Sequence, residues 1–190
     1  ANVVRPNGGI KMIATDGAGS GAAVTDVLDL TGGTGNVGLG SGSLGSSLTT
    51  GTDNVAIGEN AGDALSTGSD NTVVGDNAGG ALTTGGENIA IGSAALDAED
   101  TGNRSVAIGF EALTAQNNDA NNYNVAVGYV AGKAVTSGIR NNFFGAESGE
   151  ALTTGDDNIA LGYQTLTSET AGNRSVGIGN NALDAQNSST

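Results

Sequence analysis

A five-residue phrase recurs nine times along this chain: Asn or Ser, then two or three apolar residues of alternating size, then Gly. It reads NVGLG ending at Gly40, NVAIG at Gly58, NTVVG at Gly75, NIAIG at Gly92, SVAIG at Gly109, NVAVG at Gly128, NNFFG at Gly145, NIALG at Gly162 and SVGIG at Gly179. Successive glycines are 18, 17, 17, 17, 19, 17, 17 and 17 residues apart. A spacing that constant marks a solenoid, in which one short unit is stacked on the next and buries a shared core.

The phrase has the period of a strand. Val55 and Ile57 fall on one face and Ala56 on the other, and Val106, Ala107 and Ile108 alternate in the same way. Glycine interrupts every potential helix. The expected fold is therefore all-β, a parallel β-solenoid (β-roll) of about nine 17-residue coils over residues 36–190; the Ala row is placed inside and the Val, Ile and Leu row outside, with the opposite placement left open by the sequence. A second phrase, ENAGDALSTG after Gly58 or AESGEALTTG after Gly145, predicts a second short strand on the opposite side of each coil. Gly68, Gly85, Gly102, Gly138, Gly155 and Gly172 each fall ten residues past an anchor glycine, where a tight corner is expected to demand positive φ. Residues 54–123 and 124–190 read as two copies of a 70-residue block, with the lengthened coil AQNNDANNYN between them.

Composition narrows what such a coil can do. With 34 Gly and only six aromatic residues (Tyr 3, Phe 3, Trp 0), the chain cannot build a thick core, so the coil must be narrow. A net charge of −14 argues against a nucleic-acid partner, which would require a basic surface. The apolar runs are too short for membrane insertion. Without His or Cys there is no imidazole base, thiolate or common zinc site, and the Gly-x-Gly strings lack a P-loop Lys, so no catalytic site and no cofactor are expected. Neighbouring acids such as Glu99 and Asp100 read as solvated turn residues.

With Ala inside, the larger residues form an exterior stripe, and a stripe of that length asks for a partner. The candidate interface comprises Val55, Ile57, Ile89, Ile91, Val106, Ile108, Val125, Val127, Ile159 and Leu161. Cyclic association about the rod axis would cover it, and threefold symmetry would join three stripes, so a homotrimer is expected.

The phrases SVAIG followed by EALTA, and NIAIG followed by SAALDA, resemble the head repeats of trimeric autotransporter adhesins and the repeats of phage tail-fibre and other virion fibre proteins. The resemblance covers residues 36–187 and implies a parallel β-roll assembled as a homotrimer. It implies an extracellular place, on a virion or a bacterial cell surface. The 17-residue period is longer than that of the adhesin head coil, and no heptad stalk or membrane-anchor strands are visible, which favours a fibre. The reading is a segment of a virion fibre, most simply a phage tail fibre, engaged in host attachment. The alternative is a secreted bacterial adhesin head or a subunit of an extracellular filament.

Stacking turns each position into a column. Asn36, Asn54, Asn71, Asn88, Asn124 and Asn158 share one, where amides can hydrogen-bond along the axis. The preceding column holds Asp53, Asp70, Glu87, Arg104, Tyr123, Arg140, Asp157 and Arg174; its first three acids form a weak candidate cation site, with solvated surface charge as the plainer reading. Phe110, Tyr129 and Tyr163 each follow an anchor glycine, and Tyr123 lies in the lengthened coil. Phe110, Tyr123 and Tyr129 are expected to cluster, and with Tyr163 they are candidates for binding a host-surface glycan or receptor. Residues 1–35 break the period and hold the only Pro and Met, as a cap over the first coil or a joint to other fibre or virion proteins.

Overall fold

Three residues of each anchor phrase form one strand, and each strand pairs with the next in parallel and in register. The computed structural model describes residues 35–45 and 47–186, and of the first 34 residues only the strands β1 (Val3–Val4), β2 (Ile10–Thr15) and β3 (Val24–Leu28). These three pair antiparallel in the order β1-β2-β3. The expected role of residues 1–35 as cap or joint otherwise concerns positions outside the described residues.

The solenoid sheet comprises β4 (Val37–Leu39), β5 (Val55–Ile57), β6 (Thr72–Val74), β7 (Ile89–Ile91), β8 (Val106–Ile108), β9 (Val125–Val127), β10 (Asn142–Phe144), β11 (Ile159–Leu161) and β12 (Val176–Ile178). All nine lie in one sheet in sequence order, separated by eight turns of the coil. Val55 faces Thr72, Thr72 faces Ile89 and Ile89 faces Val106, so repeat positions become straight columns. No helix occurs among the described residues. The chain is an all-β parallel solenoid.

The far side of the coil departs from expectation. The second phrase forms no strand; it is a run of turns in which the residues two and four past each anchor adopt left-handed backbone, as at Asn60 (φ 52°) and Gly62 (φ 57°). In other coils non-glycine residues take these positions, among them Ala94, Leu96, Glu111, Leu113 and even β-branched Val130. Left-handed backbone costs an L-residue roughly 1–2 kcal/mol. Hydrogen bonds between coils offset that cost: the Asn60 N–H donates to the Ser41 carbonyl (2.8 Å) and the Gly62 N–H to the Ala78 carbonyl (3.0 Å). The recurring second phrase between two glycine corners reads as a strand in sequence, but left-handed residues two and four past the anchor break any extended run there.

The corner glycines also differ in their reason for being glycine. Gly68, Gly85, Gly102, Gly138, Gly155 and Gly172 do not adopt positive φ. A Cβ built on Gly68 would instead overlap the Gly85 carbonyl oxygen of the next coil, and one on Gly155 would overlap the Gly172 carbonyl oxygen. The left-handed residue of this corner is the charged one that follows, such as Asp70 (φ 61°) or Arg140 (φ 58°).

The core is one file of small residues faced by one file of large ones. Ala56, Val73, Ala90, Ala107, Ala126, Phe143 and Ala160 are the middle residues of their strands and are fully buried, as the alternation predicts. Facing them, coils use two solutions. Where glycine stands four residues past the anchor, as at Gly62 and Gly79, the Leu at the seventh position (Leu65, Leu82) fills the space; a Cβ on Gly62 would come within 2.8 Å of Leu65 Cδ1. Where Leu itself stands at the fourth position (Leu96, Leu113, Leu166, Leu183), the seventh is Glu99, Gln116, Glu169 or Gln186. Two coils of the first kind and two of the second alternate twice, which is the physical content of the 70-residue duplication. Phe143 fits in an Ala column because Gly132 and Gly149 face it; a Cβ on Gly132 would lie 2.8 Å from its Cδ2.

Replacing Gly155 by Ala is expected to lower unfolding free energy by roughly 2 kcal/mol or more, because backbone must move. Gly80→Ala should be near neutral, since its Cβ would meet only the mobile Asp97 Oδ1 at 2.7 Å. Urea unfolding followed by circular dichroism measures both, and equal losses would refute the assignment.

Candidate functional site

Three features could carry function: the outer face of the sheet, the polar spine beneath the strand starts, and the columns flanking each strand. On the outer face, the expected interface residues do point outward. Ile57, Ile89, Ile91, Ile159 and Leu161 are exposed, and Val55, Val106, Ile108, Val125 and Val127 are half-buried. Leu39, Phe144, Val176 and Ile178 extend the same two columns. Strand spacing makes this stripe roughly 40 Å long and about 10 Å wide, on the order of 400 Å². That places it among the largest apolar patches soluble monomers carry, which are commonly functional.

The Asn column is a buried spine. Asn54 Nδ2 donates to Asn36 Oδ1 (3.0 Å) and to the Gly68 carbonyl (2.8 Å), and Asn54 Oδ1 accepts from the Asn71 backbone N–H (3.0 Å). The same bond to the corner glycine recurs at Asn36, Asn71, Asn88, Asn124, Asn141 and Asn158. Each amide thus closes its own coil and fastens the next. Ser105 interrupts the column with a shorter side chain. There Gln116 reaches in from the far side of the coil: its Nε2 donates to Ser105 Oγ (2.8 Å) and its Oε1 accepts from Asn124 Nδ2 (2.8 Å).

Gln116 also donates to Glu99 Oε2 (2.9 Å), as does Asn122 Nδ2 (3.0 Å), while Glu99 Oε1 accepts from the Gly102 N–H (2.7 Å). Glu99 and Glu169 are fully buried, which corrects the reading of Glu99 as a solvated turn acid. Burial pushes the Glu99 carboxyl above the ordinary range, more than its hydrogen bonds to Gln116 and the backbone pull it down. The sequence signal was available: Glu or Gln stands seven residues past the anchor in the coils of Leu96, Leu113, Leu166 and Leu183, and only the first coil, with Leu44 and Ser47, departs from it.

The charged column holds the ion pairs Glu87–Arg104 and Arg140–Asp157 at left-handed corners. Arg104 donates to both Glu87 oxygens (2.8 and 3.0 Å), and Arg140 to both oxygens of Asp157 (2.6 and 2.9 Å). These hydrogen bonds hold the Glu87 and Asp157 carboxyls below the usual range. Asp53, Asp70 and Glu87 do not make a cation site: Glu87 is engaged by Arg104, and no group of three or more such ligands occurs among the described residues.

The aromatic expectation divides. Phe110 and Tyr129 stack, with centroids 5.5 Å apart and planes inclined by 11°. Tyr123 lies at the other end of β9, where the Arg104 guanidinium sits 5.8 Å from its ring centroid and donates to its hydroxyl (3.3 Å). It is not part of their cluster, because the strand and the glycine corner separate the two columns. Tyr163 continues the Phe110–Tyr129 column two coils on, after Ala146. All four rings are exposed, and so are Asn117, Asp119, Ala120 and Asn121 of the lengthened coil.

The chain matches no family model, and no curated protein or solved structure is similar to it.

Asn71→Ala would leave the Asn88 N–H and the Gly85 carbonyl without partners, at a cost of roughly 2–4 kcal/mol in chemical unfolding; an unchanged midpoint would mean the spine is dispensable. A second test concerns pH. Because the folded Glu99 pKa lies above its ordinary 4.5, the folded state binds its proton more tightly, and this group's contribution to stability falls as pH rises from 4.5 through the folded value. The stability of wild type relative to Glu99→Gln should therefore be greatest at acid pH and shrink toward neutrality, while the other carboxylates cancel in the difference. A pH-independent difference would show that Glu99 is solvated.

Proposed function

We propose that this chain is a structural and adhesive rod, a segment of a homotrimeric fibre that lies outside the cell, on a virion such as a phage or on a bacterial surface, and takes part in attachment to a host. The observation that carries the reading is the outer face of β4–β12, where the column from Leu39 to Ile178 is apolar on all nine strands and the column beside it is apolar except at Thr72 and Asn142. A monomer would leave this stripe in water; three copies about a common axis would bury it. The resemblance of the repeat phrases to fibre and adhesin heads supports the same arrangement.

The chemistry of the surface agrees with a passive scaffold. Buried Asn, Gln and Glu side chains serve the spine, and the basic side chains Arg104, Lys133 and Arg140 are paired with acids of adjacent coils, which leaves a surface of net negative charge. With no His or Cys in the chain, we assign no catalytic step. No helix among the described residues is long and apolar enough to cross a membrane. Attachment would rest on exposed side chains held at fixed intervals by a rigid rod.

Light scattering of the purified chain should give three times its 18.3 kDa mass. Ile91→Asp or Ile108→Asp would place an unpaired charge in the trimer axis and should dissociate it while the β-signal in circular dichroism persists. A wild-type chain that is a stable, soluble monomer would overturn the assembly reading.

A further inference from the structure

The column that follows the anchor glycines runs Ser93, Phe110, Tyr129, Ala146, Tyr163 and Asn180 on successive coils. Its register is set by hydrogen bonds between coils: the Glu147 N–H donates to the Tyr129 carbonyl (2.8 Å) and the Gln164 N–H to the Ala146 carbonyl (3.0 Å). Phe110 and Tyr129, on adjacent coils, stack almost parallel. A ring in this column can therefore stack on a ring one coil away. One face of Tyr129 is taken by Phe110. Tyr163 stands two coils on from Tyr129, on the side away from Phe110, and the coil between them carries Ala146, whose side chain is a methyl group.

Two coils separate Tyr129 from Tyr163, a spacing of about 9.6 Å from the usual distance between strands. That gap decides what fits. A planar ring held at van der Waals contact on both sides requires roughly 7–7.5 Å between the flanking rings, and would rattle here. A saturated six-membered ring, whose C–H groups project from both faces, requires roughly 8.5–9.5 Å. Polar groups flank the same gap in sequence: Glu147 follows Ala146 and Gln164 follows Tyr163, and the Glu147 carboxylate accepts from Gln164 Nε2 (2.7 Å), which leaves one carboxylate oxygen and one amide N–H for further hydrogen bonds. Tyr129 and Tyr163 are 55% and 45% exposed, so the gap is open to solvent.

We propose that Tyr129 and Tyr163 are the two walls of a slot, floored by Ala146 and edged by Glu147 and Gln164, that binds one pyranose ring of a surface glycan. The C–H faces of the sugar stack on the two aromatic rings, and its hydroxyls donate to Glu147 and accept from Gln164. The slot rests on the reading of the rod as an attachment element and names the chemistry of what it attaches to.

The test uses the full chain on an array of immobilised pyranose-containing glycans, followed by saturation-transfer NMR with the best binder as soluble probe. Binding is expected, with saturation concentrated on the C–H protons of a single pyranose. Tyr129→Ala and Tyr163→Ala should each weaken it about tenfold or more, as loss of one stacking face implies. Ala146→Leu should abolish it by filling the slot without removing a ring, and Tyr123→Ala should leave it unchanged. Absence of binding across the array, or full binding by Ala146→Leu, would overturn the slot. A change in solution mass on Tyr129→Ala or Tyr163→Ala would also overturn it, by assigning the rings to a subunit interface. A wild-type trimer that binds no glycan sinks the slot alone, whereas a monomer that binds one sinks the assembly reading alone.

Discussion

Everything in this rod depends on how a coil of 17 residues closes without a thick core, and the buried Asn amide is what closes it. Its Nδ2 reaches the carbonyl of the corner glycine 14 residues on, and its Oδ1 accepts the backbone N–H of the next coil. Two backbone groups that would otherwise be buried unsatisfied are paired by one side chain. Asp has no donor for the carbonyl, and Gln is one methylene too long for the same place. The corner glycine follows from the same geometry: its carbonyl must turn inward to meet the amide, which brings adjacent corners too close for a Cβ.

The second dependence is volume. The strand side offers little more than a methyl group per coil, so the far side must supply one large residue, either from the seventh position past the anchor or from the fourth. Moving Leu to the fourth position requires left-handed backbone at a non-glycine residue, as at Leu96 (φ 54°) and Leu113 (φ 51°). It also vacates the seventh position beside the polar spine. Glu99 and Gln116 occupy that space, and Gln116 restores the amide that Ser105 lacks. Burial raises the proton affinity of the Glu99 carboxyl, and the hydrogen bonds donated to it offset only part of that rise.

Because interior positions are spoken for by closure and volume, what remains for interaction is the outside of the strand and the residues at its two ends. The first is apolar along its length except at Thr72 and Asn142; one end column is charged and carries the ion pairs Glu87–Arg104 and Arg140–Asp157, and the other carries the aromatic rings. A rod of this kind holds such columns at a repeat of about 4.8 Å, so its surface acts as a ruler. The spacing of Tyr129 and Tyr163 is a consequence of that ruler and of the small residue between them.

The sequence by itself determined the repeat, the strand at each anchor phrase, and the division of that strand's residues between two faces, while the burial of the Ala face settled which one lies inside. The first three follow from local rules, since alternation along a strand and a constant period need no knowledge of distant contacts. It also placed the Asn residues in one column. Only the tertiary structure decided the rest. Left-handed backbone at Val130 or Glu111 runs against local preference and is held by hydrogen bonds from other coils. Glu99 looks solvated in sequence, and is buried because a Leu three residues earlier has taken the core position. Tyr123 is near Tyr129 along the chain yet belongs to the opposite end of the strand, while Tyr163, 34 residues away, shares its column. Proximity in a solenoid is set by stacking between coils, and sequence distance measures it only in multiples of the period.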